Sequence, residues 1–295
     1  MMKKFKGSGV AIVTPFKSDS SIDFSALGRV VEYIVQGGVN YIVVLGTTGE
    51  SATLTKDEKK AVISYVIEAV SGRIPIVAGI GGNNTQEVIN TIRHIDFTGI
   101  DGILSVAPYY NKPTQRGLIQ HFKSIAACCP VPVIMYNIPG RTGCNMTADT
   151  CLELAKECEN IVGVKEASGD LSQIMKIIKG KPENFNVISG DDMLTLPVIA
   201  AGGAGVISVL ANAFPAATSE LVNNALKSNI KAAREIQFKY LEIIELLFTE
   251  GNPAGVKAML AILNKCQNIL RLPLVPVSRS TLTRIQKAVE EVMKG

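Results

Sequence analysis

Four short segments gather the polar residue types that carry carbon–carbon bond chemistry. They are Gly46-Thr47-Thr48-Gly49-Glu50-Ser51, Ala107-Pro108-Tyr109-Tyr110-Asn111-Lys112-Pro113, Tyr136-Asn137-Ile138-Pro139-Gly140-Arg141-Thr142 and Val164-Lys165-Glu166. Lys165 is the most informative, because it ends the apolar run Ile161-Val162-Gly163-Val164. An amine in a low-dielectric setting is favoured in its neutral form and can attack a ketone. The resulting iminium withdraws electrons from the adjacent carbon, which can then lose a proton and become a nucleophile. The same position equally suits a lysine that snorkels to solvent or pairs with Glu166. Tyr136 could relay protons or be a core tyrosine with a satisfied hydroxyl. Gly46-Thr47-Thr48-Gly49 offers hydroxyls and backbone N–H groups to a carboxylate, or is a plain turn. Arg141 could hold a carboxylate bidentately or be a surface loop arginine. Gly190 and Ile207 could line the floor of such a site, although Ile207 also reads as ordinary core.

Other chemistries are disfavoured by composition. Only two histidines, His94 and His121, are present, neither with a partner His nearby. Metal-dependent aldol chemistry and a Ser-His-Asp hydrolase both need better-placed imidazoles. P-loop and dinucleotide-binding glycine fingerprints are absent, and no cofactor is expected. Six cysteines without CxxC spacing read as reduced, small core residues. Thirty basic and twenty-six acidic residues give a net charge of +4 with no long block of one sign; the longest is the Lys3/Lys4/Lys6 cluster. No nucleic-acid footprint follows. The apolar run Val10 to Val13 is too short for a leader or a membrane span, so a soluble cytoplasmic protein is expected.

The elements that must position these residues follow from hydrophobic period. Short β-branched runs are expected at Val10–Thr14, Tyr41–Leu45, Ile76–Gly79, Gly102–Val106, Val133–Tyr136, Ile161–Lys165, Asn186–Ser189 and Gly205–Val209. Helical stretches lie between them. Asp23 reads as one helix start, and Thr55/Glu58 and Asn84/Glu87 as capping boxes; Gly37-Gly38 reads as a stop. Eight strand–helix units in about 225 residues match a closed (β/α)8 barrel, of the TIM type, better than an open sheet. The four polar segments then fall at the C-terminal strand ends, where such barrels place their sites. The Gly202-Gly203-Ala204-Gly205 turn falls at the opposite face and suggests tight packing. Three helical segments are expected at about 231–249, 253–268 and 280–293, the last after the Pro-rich Leu272–Pro276. The expected division is a barrel over residues 1–228 and a small C-terminal helical domain over 229–295.

Taken together, GTTGES at 46–51, PYYNKP at 108–113, YNIPGRT at 136–142, VGVKEASGD at 162–170 and SGDD at 189–192 resemble the dihydrodipicolinate synthase family in order and spacing. The resemblance spans practically the whole chain. It implies condensation of pyruvate with L-aspartate 4-semialdehyde in the diaminopimelate route to lysine, by a cytoplasmic homotetramer built from dimers. It also implies residue roles. Lys165 would form the Schiff base, Tyr136 would give and take protons, and Thr47 would link Tyr136 to Tyr110 from a neighbouring subunit. Thr48 would bind the pyruvate carboxylate, Ile207 would contact pyruvate through its backbone, and Arg141 would receive the semialdehyde carboxylate. Sibling enzymes with the same lysine and tyrosine, such as N-acetylneuraminate lyase or 2-keto-3-deoxy sugar-acid aldolases, remain the alternative, as does a barrel that only binds 2-oxo acids. Arg141 favours an aldehyde bearing a carboxylate. One departure concerns regulation: Lys56 and Lys59 stand where lysine-inhibited members carry histidines, although Ser51, Ala52, Asn83, Glu87 and Tyr109 match that site. Feedback inhibition by lysine is therefore expected to be weak or absent.

Overall fold

The computed structural model describes residues 4–294, so Lys3 of the N-terminal lysine cluster and the two outer limits of the expected division lie outside it. Eight strands run β1 Gly7–Ala11, β2 Tyr41–Val44, β3 Ile76–Gly79, β4 Gly102–Val106, β5 Val133–Asn137, β6 Ile161–Glu166, β7 Asn186–Ser189 and β8 Gly205–Ser208. All are parallel to their neighbours, and β8 pairs back onto β1 to close the barrel in sequence order. Strands apolar on both faces cannot face water on either side, and here one face fills the barrel while the other meets the helices. Phe5, Ala11, Tyr41, Val43, Val77, Leu104, Ile134, Ile188 and Ile207 form the inner core.

The first strand differs from the expected Val10–Thr14, beginning three residues earlier at Gly7. Gly7 pairs with Gly205, where a Cβ would lie 1.9 Å from the Gly7 carbonyl oxygen. Those two glycines let the last strand approach the first and complete the ring. The expected tight packing at the Gly202–Gly205 turn is thus seen at its last residue.

Helix starts follow local chemistry. Asp23 accepts from the Ala26 N–H at 2.9 Å. Thr55 and Glu58 make the reciprocal box, with the Thr55 N–H donating to Glu58 at 2.9 Å and the Glu58 N–H to Thr55 Oγ1 at 3.2 Å. Asn84 does not form the expected box: its side chain accepts from the Gln86 N–H, an Asx turn that leaves Glu87 out of the cap. Beyond the barrel helix Pro215–Leu226, the described residues form four helices rather than three segments: Ile230–Lys239, Leu241–Phe248, Ala254–Ile262 and Arg279–Lys294. The break falls at Tyr240, whose ring packs at 5.0 Å from that of Phe214. No Gly or Pro marks it, so tertiary packing overrides a continuous helical pattern. Ala233 of the first of these helices packs with Leu196, Ile199, Val206 and Leu221 of the barrel. Among the described residues no helix is long and apolar enough to cross a membrane. Of the cysteines, Cys129, Cys144 and Cys151 are buried, whereas Cys128, Cys158 and Cys266 are only half-buried; all six are free thiols.

Candidate active site

Lys165 faces into the barrel beside Tyr136 because of one irregularity. Val133 pairs with Ile161, but Ile134 pairs with Gly163, so Val162 is an extra residue on β6. Ile161 and Val133 face the outer helices, while Ile134 and Tyr136 belong to the inner core. The bulge resets the alternation so that Gly163 and Lys165 point inward beside Ile134 and Tyr136. Val164 and Glu166 consequently point outward.

Lys165 is 5% exposed, and its Nζ lies 4.3 Å from the centroid of the Tyr136 ring. A cation held over that face is attracted by the ring quadrupole, whereas a neutral amine keeps its lone pair for attack. The snorkelling and Glu166-pairing readings of this lysine both give way. Glu166 lies behind the strand, accepting from Asn137 Nδ2 at 3.1 Å, Gln173 Nε2 at 3.0 Å and the Ser168 N–H at 2.8 Å. Burial pushes its carboxyl above the usual range, opposed by those hydrogen bonds. Gly190, after β7, would bring a Cβ to 3.0 Å from Lys165 Cε. Its missing side chain leaves the lysine stem its path to the mouth.

The Thr47–Gly49 turn follows β2, four strands from β6 and so across the barrel mouth. The Gly49 N–H donates to the Gly46 carbonyl and the Glu50 N–H to that of Thr47, both at 3.1 Å. The N–H groups of Thr47 and Thr48 open the turn and have no partner inside it. Thr48 is buried and Thr47 half-buried. This edge of the mouth can receive an anion, and the opposite edge holds an amine. Ile207 sits on β8, buried in the inner core beneath them.

Two expected site residues stay apart from this cluster within one chain. Tyr110 is 91% exposed, with φ +70°, and makes no hydrogen bond to Thr47 or Tyr136 among the described residues. Arg141 lies exposed in the short helix Pro139–Thr142 and forms no ion pair among them.

The sequence reading missed the support beneath the turn. Glu50, at φ +52°, pairs through Oε1 with Lys257 Nζ at 2.5 Å, both side chains being fully buried. Lys257 also donates to the Ile269 carbonyl at 2.8 Å and lies 4.1 Å from the centre of the Phe16 ring. Burial pushes its amine below the usual range, while Glu50 pulls the other way. The available signal was a single charge in the otherwise apolar Ala254–Ile262. Asn252, just before that helix, donates from Nδ2 to Thr48 Oγ1 at 3.0 Å.

Residues 4–292 match the Dihydrodipicolinate synthetase family. The chain is 50% identical over 293 residues to the 4-hydroxy-tetrahydrodipicolinate synthase of Flavobacterium psychrophilum, covering 99% of this chain and 100% of that protein. Among solved structures it resembles the dihydrodipicolinate synthase of Aquifex aeolicus, with a TM-score of 0.94, 44% identity, and coverage of 97% and 98% of the two chains. It likewise resembles the chloride-inhibited dihydrodipicolinate synthase of Acinetobacter baumannii, complexed with pyruvate, with a TM-score of 0.94, 39% identity, and coverage of 98% and 99%. With a closed barrel, an inward lysine beside a tyrosine and near-complete coverage at this identity, the chain belongs to the dihydrodipicolinate synthetase family.

Proposed function

We propose that this chain is a Schiff-base lyase that acts as a 4-hydroxy-tetrahydrodipicolinate synthase, condensing pyruvate with L-aspartate 4-semialdehyde. The observation that carries the reading is the buried Lys165 amine over the Tyr136 ring, across the mouth from a turn of hydroxyls and N–H groups. Lys165 Nζ adds to the pyruvate carbonyl carbon and water leaves, giving an iminium. Loss of a methyl proton turns this into an enamine, whose carbon attacks the aldehyde; the aldehyde oxygen takes up a proton. The amino group of the second substrate then attacks the iminium carbon, closing a six-membered ring and releasing Lys165.

Tyr136 is the group positioned to give and take these protons. Thr48 holds the pyruvate carboxylate, and the Ile207 backbone and Gly190 bound the space around it. Arg141, unpaired by any acid among the described residues, receives the carboxylate of the aldehyde. Thr47 passes protons towards Tyr110 of a second copy. An almost fully exposed tyrosine in a left-handed conformation supports a role completed only on assembly. A cytoplasmic homotetramer built from dimers meets that need.

Borohydride reduction in the presence of pyruvate should leave a covalent adduct on Lys165, read by peptide mass analysis. Absence of the adduct refutes the lyase reading. Turnover with sugar aldehydes but not with aspartate semialdehyde would move the chain to a sibling aldolase.

A further inference from the structure

The Thr48 hydroxyl has its direction set by the far end of the chain. Asn252 is buried, and its Nδ2 donates to Thr48 Oγ1 at 3.0 Å. A hydroxyl that accepts from an amide N–H must aim its own proton elsewhere. A second tie lies close by. Five residues later, Lys257 pairs with Glu50, two residues beyond Thr48, and Glu50 Oε2 accepts the Arg271 N–H at 3.1 Å. One turn of the barrel is thus tied twice to the segment that opens helix Ala254–Ile262. Asn252 Oδ1 is also buried and has no hydrogen-bond partner among the described residues. Leaving that oxygen unpaired costs stability. Simple packing would be better served by an apolar residue, so the amide N–H must serve the turn.

We infer that Asn252 is a positioning residue: it occupies a lone pair of Thr48 Oγ1 so that the Thr48 proton points into the barrel mouth, towards the carboxylate of the 2-oxo acid. The inference rests on the lyase reading above. Asn252 touches neither substrate; it acts through Thr48.

The test uses the full-length enzyme, pyruvate, and acetone as a ketone without a carboxylate. Trapping of pyruvate by the wild type establishes the lyase reading separately. Asn252→Ala should raise the KM for pyruvate about five- to tenfold, with kcat within about twofold and acetone trapping unchanged. Thr48→Val should show a loss that already contains this effect, so adding Asn252→Ala to it changes the pyruvate KM no further. Asn252→Asp keeps the shape and offers only acceptors when ionised, so it should raise the pyruvate KM more than Asn252→Ala. Multiplying losses in the double variant, a parallel fall in acetone trapping, or wild-type pyruvate binding in Asn252→Asp would each overturn the inference. The Asp variant, nearly isosteric, keeps the question answerable if the Ala variant fails to fold.

Discussion

Replacing Lys257 with Met is the sharpest test of the buried tie between barrel and C-terminal helices. At 2.5 Å, and with an effective dielectric constant of about 20, the attraction between Lys257 and Glu50 is roughly 7 kcal/mol before solvation is considered. Removing each ion from water costs several kcal/mol, so the intact pair contributes little net stability. Breaking it is different. Met fills similar volume and keeps contact with Phe16, but Glu50 is left charged and fully enclosed, which should cost about 3–5 kcal/mol. For a chain of this size, with an unfolding entropy of about 0.6 kcal/mol per K, that corresponds to a fall in Tm of roughly 5–8 °C. Paired with Glu50→Gln, the same Lys257→Met change should recover most of the loss, because no charge is then stranded. Thermal unfolding at fixed protomer concentration measures all four proteins of the cycle. A Lys257→Met variant within about 1 kcal/mol of wild type, or a double variant no better than it, would refute the reasoning.

Two further predictions follow from other parts of the molecule. His121 is buried against Thr85, 2.8 Å from Nδ1 to the hydroxyl, and burial lowers its pKa to about 4. Below about pH 6.5 the unfolded chain takes a proton that the native ring refuses. Stability is therefore full above that value and falls towards pH 4, by roughly 3 kcal/mol at the limit; His121→Gln should flatten this loss in pH-dependent urea unfolding, and an unchanged profile would count against it. Lys56 is exposed and Lys59 half-buried in the first turn of helix Lys56–Val70, and their charges should repel a lysine ligand; steady-state rates should barely change in millimolar lysine, and inhibition at micromolar lysine would contradict this.

Periodicity made most of the barrel legible because buried parallel strands are short, apolar and bounded by turns: β3, β4 and β7 begin and end where the sequence places them. The glycine-led start of β1 was hidden because glycine marks loops and close approach alike. The four polar segments also fall at strand ends as expected, since strand length and direction suffice to put them there. What stayed hidden depends on contacts distant in sequence. Asn252 meets Thr48 across 204 positions, and nothing around either residue announces the other. The orientation of Lys165 was hidden too, because a run apolar on both faces carries no alternation from which its phase could be read.

That phase makes the chemistry of β6 a matter of parity. Between Ile161 and the mouth, an odd or even number of residues determines which of two neighbours, an amine or a carboxylate, enters the barrel. A regular pairing of Val162 with Ile134, with no bulge, would exchange the places of Lys165 and Glu166. It would set an acid over Tyr136 and press the amine among Asn137 and Gln173, where the carboxylate now sits. The identity of this site is therefore stored in the one extra residue of β6 as much as in the kinds around it, and a register slip of a single position would erase it without altering a single side chain that does the work.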